Sequence, residues 1–138
     1  MRAYVREAGL DGRIDVSSAG TGDWHIGGPA DERAVAALAR RGYDGTAHRA
    51  RQFTAGWFAD HDLVLALDGA NLVAIRELAP AELRATVRLL REFDPEAGSE
   101  LDVPDPYSGG RARFDDALDM VERSCHALLD HLRQELSV

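Results

Sequence analysis

Cysteine is almost missing from this sequence: Cys125 stands alone among 138 residues. One cysteine cannot close an internal disulfide and cannot build a thiolate metal cage. Long apolar runs are missing as well. None approaches the roughly 20 residues that a membrane-spanning helix needs. The first ten residues, MRAYVREAGL, hold no apolar stretch that could serve as a signal peptide. Positive charge is scarce, with 16 basic against 24 acidic residues and a net charge of −8. Such a surface repels nucleic acid and anionic membranes in general, so a phosphate group would have to be bound by local chemistry. These absences leave a cytoplasmic domain with neither nucleic acid nor membrane as partner, and with no cofactor implied.

What is present suits a packed domain. Apolar residues make up 45% of the chain, enough for a core within the ordinary size of one domain. Residues 1–138 read as a single domain without repeats or linkers. Short apolar runs alternate with amphipathic stretches, the pattern of βαβ units around a parallel sheet. The expected fold is therefore α/β.

The chain opens in what reads as the back end of a helix, Arg2–Ala8, closed by Gly9. Arg13–Ser18 reads as a short strand entering a glycine-rich loop that ends at Pro29. Asp31–Arg41 is expected to be helical, with Asp31 as N-cap, Val35 and Leu38 facing inward, and Gly42 as the stop. Thr54–Ala59 reads as a helical turn, and Leu63–Leu67 as a strand buried on both faces. Asp68 opens a helix that ends at Leu78, before Pro80. Val87–Leu90 reads as a third strand, and residues 93–110 as loop. The last helix spans about Arg113 to Leu136. Its stripe of Phe114, Leu118, Val121, Cys125, Leu128, Leu132 and Leu136 steps by three or four, so one face is buried. Cys125 lies on that stripe, which makes it a small buried hydrophobe rather than a reactive thiol.

Three segments carry candidate chemistry. In DVPDPYSGG, residues 102–110, Pro104 and Pro106 restrict the backbone on either side of Asp105. A carboxylate so held beside Tyr107 can act as a general acid, though an Asp-Pro turn with a surface tyrosine has the same sequence. In SSAGTGDWHIGG, residues 17–28, Trp24 stands in a polar loop. There it either walls a pocket for a flat aromatic group or folds back on the core. In TAHRARQF, residues 46–53, His48 sits between basic residues. It either orients a neighbouring loop or is a satisfied structural histidine. No histidine spacing suits a metal: His126 and His131 are five apart on a helix, off a common face.

In this order, SSAGTGDWHIG, HRARQF, DLVLALDGANL, VRLLREFDPE and DVPDPYSGG, followed by an amphipathic helix, resemble the low-molecular-weight protein-tyrosine phosphatases. The resemblance spans essentially the whole chain. It implies a three-layer αβα fold with four parallel strands, and hydrolysis of phosphotyrosine proteins or small aryl phosphates through a cysteinyl-phosphate intermediate. It implies Asp105 as the acid that protonates the leaving phenol and then as the base for water. It also implies Trp24 and Tyr107 as aromatic walls, with Ser18, His48 and Asp68 bracing the phosphate loop. An arsenate reductase shares the fold, but its chemistry runs through several cysteines.

Three departures stand out. Ser17 occupies a position that is often acidic in the family, and Ser108 follows Tyr107 where a second tyrosine often stands. The third concerns the family's nucleophile, which lies in a Cys-x5-Arg-Ser loop after the first strand. There, backbone amides face the phosphate and lower the thiol pKa, and the arginine grips two phosphate oxygens. No such motif occurs here, and six residues after Cys125 stands His131. The expectation is a domain incomplete at its N-terminus, short by on the order of 20 residues that would supply a strand, the loop and a turn of helix. Such a chain would be inactive by itself, and unstable, since strands would be left facing a gap. A binding module or a gene remnant is the alternative reading.

Overall fold

The computed structural model describes residues 1–20, 28, 31–46, 51–104 and 111–136. Helix α1, Arg2–Glu7, ends where Gly9 turns into the left-handed region at φ 72°, letting the Leu10 amide reach back to the Val5 carbonyl at 2.9 Å. Helix α2, Glu32–Ala39, starts on Asp31, whose carboxylate accepts from the amides of Arg33 and Ala34. It is stopped by Gly42 at φ 82°. Val35 and Leu38 are half-buried, and the innermost residue of this helix is Ala37. The expected turn with Trp57 and Phe58 is helix α3, Trp57–Asp60.

Strand β1, Val64–Ala66, lies inside the apolar run 63–67. Helix α4, Gly69–Leu78, follows with Asp68 as its N-cap. After a 3₁₀ turn at Ala81–Thr86 comes strand β2, Val87–Leu89, parallel to β1 with Val64 opposite Val87 and Ala66 opposite Leu89. A second 3₁₀ turn covers Leu90–Phe93. The last helix, α5, spans Arg111–Leu136. Of the stripe that predicts this helix, Phe114, Cys125 and Leu128 are buried and the rest half-buried.

Period-two alternation along β1 separates two cores. Val64 and Ala66 join Val87, Leu89 and Ile75 on the α4 side. Leu63 and Leu65 pack with Leu90, Val5, Cys125 and Leu128 on the side of α1 and α5. The result is a three-layer α/β fold built on a short parallel sheet.

The expected strand Arg13–Ser18 is not formed. Ile14 and Val16 alternate inward as a strand would have them, but the segment joins no ladder among the described residues. A strand is stabilised by a neighbour's backbone groups, and among the described residues β1 and β2 pair only with each other. Pairing appears only at its far end, as a single parallel bridge between Gly20 and Gln52. The sheet therefore has two strands among the described residues, not three.

Candidate active site

The carboxyl ends of parallel strands are where α/β sheets place their sites, because the loops there are free of the ladder. β1 leaves the sheet at Leu67 and turns at once into α4. Asp68 controls that turn: its carboxylate accepts the Asn71 amide at 2.8 Å, and its carbonyl accepts from Leu72. A capping carboxylate is favoured here both by the unsatisfied amides and by the helix field.

A second strand of chain is fastened to this turn. The Val103 amide donates to the Leu67 carbonyl at 2.7 Å, and the Gly69 amide donates to the Asp102 carboxylate at 2.9 Å. Asp102 and Val103 are thus clamped across the first residues of α4. Val103 is buried and Pro104 follows it, so the chain enters DPY from a fixed point. On its far side, Asp102 offers its carbonyl to the guanidinium of Arg91 at 3.1 Å. The sequence singles out the DVPDPY segment but not this use of Asp102, whose partners lie far along the chain.

Of the residues assigned from sequence, Asp68 and Ser18 lie within the described structure. Ser18 is exposed, in the extended segment before Gly20. Its neighbour Ser17 is hydrogen-bonded to His61 Nε2 at 2.6 Å, and His61 Nδ1 lies 2.7 Å from the Trp57 carbonyl. Trp24, His48, Asp105 and Tyr107 lie outside the described residues.

Cys125 is 5% exposed on α5, and burial pushes its thiol up, away from the thiolate that nucleophilic work requires. A cavity of about 690 Å³ lies between α1, the end of α2 and α5. It is lined by Tyr4, Tyr43, Glu122 and Cys125, among others, and by none of Asp68, Asp102 and Val103. No group of three or more metal-ligating side chains gathers among the described residues. No described helix is long and apolar enough to cross a membrane.

Behind the clamp lies Asp94, whose side chain is fully buried. Burial pushes its carboxyl up, but the Glu96 amide and the Arg123 guanidinium outweigh this and hold it below the usual carboxylate range. Sequence patterning does not reveal the cluster, since arginine and aspartate in LLREFDP read as surface residues.

A three-layer α/β fold with Asp102 and Val103 fastened at the carboxyl end of a parallel strand marks a class of fold whose members carry many chemistries. The comparisons with known proteins narrow it. The family described as low molecular weight phosphotyrosine protein phosphatase matches residues 1–138. A low molecular weight protein-tyrosine-phosphatase of Streptomyces coelicolor is 52% identical over 137 residues, which cover 98% of this chain and 83% of the relative. Low molecular weight protein-tyrosine phosphatase A of Mycobacterium tuberculosis is 40% identical, over 96% of this chain and 80% of its own. Among solved structures, YfkJ from Bacillus subtilis superposes with a TM-score of 0.88 at 31% identity, covering 97% of this chain and 82% of that one. The chain belongs to the family of low molecular weight phosphotyrosine protein phosphatases.

Proposed function

We propose that this single domain carries the acid and substrate-binding side of a protein-tyrosine phosphatase site, acting in the cytoplasm on phosphotyrosine proteins or small aryl phosphates. In the reaction, a cysteine thiolate attacks phosphorus as the bond to the aryl oxygen breaks. Asp105 gives that oxygen its proton, so phenol rather than phenolate leaves. Water then attacks the cysteinyl phosphate while Asp105 takes its proton, and the phosphorus–sulfur bond breaks to release phosphate. Trp24 and Tyr107 stack on the substrate ring, and Ser18, His48 and Asp68 brace the phosphate loop. No metal or cofactor takes part in this scheme.

The observation that supports this reading is the clamp of Asp102 and Val103 onto Leu67 and Gly69. It fixes Asp102 and Val103, two to three residues ahead of Asp105 in sequence, at the carboxyl end of β1. The nucleophile is not among these 138 residues: Cys125 is buried mid-helix, and no Cys-x5-Arg-Ser motif is present. The 138 residues by themselves are therefore proposed to be inactive.

The test compares these 138 residues with the protein isolated from its own cells and weighed by mass spectrometry. Both are assayed on phenyl and p-nitrophenyl phosphate. The expected result is no turnover by the 138 residues, and turnover by the isolated protein that Cys125→Ala leaves intact. Asp105→Asn in the isolated protein should cost about 10²–10⁴-fold in kcat on phenyl phosphate and less on the better leaving group. Turnover by the 138 residues that Cys125→Ala abolishes would overturn the reading. An isolated protein of 15.0 kDa that is inactive yet holds phosphotyrosine peptides would replace it with a binding module.

A further inference from the structure

We propose that Arg91 is a positioning residue for the acid loop: a buried strut from the end of β2 that sets where the chain enters Asp105. The inference rests on the reading of Asp105 as the acid.

The argument starts from an arginine in the wrong place. Arg91 is 5% exposed, and a charge taken out of water needs a partner. The obvious partner is Asp94, three residues on, yet the pairing is loose. Arg91 Nε stands 3.5 Å from Asp94 Oδ2, and neither atom makes a hydrogen bond among the described residues. Asp94 is already served on its other oxygen by the Glu96 amide at 2.9 Å and by Arg123 Nε at 3.3 Å. Had neutralising Asp94 been the whole task of Arg91, the planar fork would lie against the carboxylate. Instead, the hydrogen bond that the Arg91 side chain makes runs from Nη1 to the Asp102 carbonyl at 3.1 Å, eleven residues along the chain.

The geometry gives this bond its significance. Asp102 is held from two sides. Its carboxylate takes the Gly69 amide at the start of α4, and its carbonyl takes Arg91 from the end of β2. Val103 adds the bond to Leu67. The Leu67 carbonyl after β1 and the Arg91 guanidinium after β2 therefore hold the same peptide, Asp102–Val103, from its two polar groups, and the restricted Pro104 is the next residue before Asp105 in sequence. Asp94 faces the guanidinium from behind as its counter-charge, and Arg123 anchors Asp94 to α5. A general acid displaced by about 1 Å loses much of its effect, so a rigid approach matters.

The test is amide hydrogen exchange by NMR on the full chain. Variants are Arg91→Met, Arg91→Lys and, as control, Arg123→Met, which removes a partner of Asp94 without touching Asp102. The strut predicts that Arg91→Met speeds exchange at Gly69 and Val103 by about tenfold or more relative to Leu65 and Leu89 in the sheet. Arg91→Lys, which keeps a charged donor, should restore much of that protection. Arg123→Met should change all four sites together. Uniform change in Arg91→Met, or none, would overturn the proposal. Should Arg91→Met not fold, the wild-type guanidinium decides. Resolved, slowly exchanging Arg91 Nη protons support the strut, and one averaged resonance refutes it. In the protein isolated from its own cells, Arg91→Met should lower kcat more on phenyl than on p-nitrophenyl phosphate with KM unchanged. Whether Asp105 is the acid is read separately from Asp105→Asn. A failure there leaves the exchange result standing, and a failure here leaves the reading of Asp105 as the acid untouched.

Discussion

Two carboxylates on the α5 side of the molecule, Asp94 and Glu122, are built alike and placed differently. Each is gripped by arginine, and each is held below its usual range although burial pushes it up. Asp94 has no exposed side-chain surface and is served by Arg91, Arg123 and the Glu96 amide. Glu122 keeps 29% of its side chain exposed. It takes the Arg41 guanidinium and, at 3.1 and 3.0 Å, the hydroxyls of Tyr4 and Tyr43. One cluster braces the approach to the candidate site; the other ties α1 and the end of α2 to α5. Water is excluded from Asp94 and Arg91 in the first, where it reaches only Arg123, and still reaches the Glu122 carboxylate in the second. The same chemistry should therefore be worth different amounts in the two places.

The largest expected effect is at the dry cluster. Asp94→Ala leaves Arg91, nearly without solvent, facing no counter-charge, and should cost about 3–5 kcal/mol in urea unfolding. Glu122→Ala removes as many partners, but water can take over at Arg41 and at both phenols, so about 1–2 kcal/mol is expected. Equal losses in the two variants would break the comparison, because exposure would then not set the strength.

The two clusters should also part company with pH. For both carboxyls the folded state lies below the unfolded one. Their contribution is present above the ordinary carboxylate range, about pH 4, and is lost as pH falls through the folded values. Only the Glu122 cluster should respond at high pH. Burial first, then the Tyr43 hydroxyl and Glu122, push the Tyr4 phenol up. A group raised on folding contributes stability below its unfolded value, about pH 10, and loses it as pH rises further. Urea midpoints measured from neutral to alkaline pH should fall in the wild type and fall less in Tyr4→Phe. Asp94→Ala should keep the full alkaline loss. An alkaline loss unchanged in Tyr4→Phe would detach Tyr4 from the cluster.

The difference between the clusters also marks how far the sequence can be read. Local rules found what local chemistry fixes. The Asp31 and Asp68 caps, the apolar stripe of α5 and the buried place of Cys125 follow from spacing along one helix. The strand expected at Arg13–Ser18 failed because alternation says which way side chains face, not whether a neighbour exists to complete a ladder. Arg91 and Asp94 were unreadable for a related reason. Their burial depends on α5, some thirty residues on, and a charged pair in LLREFDP carries no mark of it. Asp105, Trp24, Tyr107 and His48 owe their roles to family resemblance, for composition and spacing left each of them with an ordinary alternative.

The smallest expected effect probes the extended segment itself. Without a ladder, the segment beyond Ile14 is held by side chains: Arg2 Nε donates to the Val16 carbonyl at 2.9 Å, and Ser17 meets His61. The Trp57 carbonyl can only accept, so His61 Nδ1 carries the proton that bonds to it. In the neutral ring Nε2 is then the acceptor, and the Ser17 hydroxyl must donate. Ser17→Ala leaves that nitrogen open to water on an exposed surface, and should cost no more than about 1 kcal/mol in global unfolding. Its local effect should be larger. The Gly20 amide, three residues on, pairs with the Arg51 carbonyl at 2.7 Å and is the first ladder bond the segment reaches. Faster exchange at Gly20 in Ser17→Ala, with Leu65 and Leu89 unchanged, would mean that a serine–histidine contact does there what a neighbouring strand does for β1. Unchanged exchange at Gly20 would mean that the bridge to Gln52 holds the segment by itself.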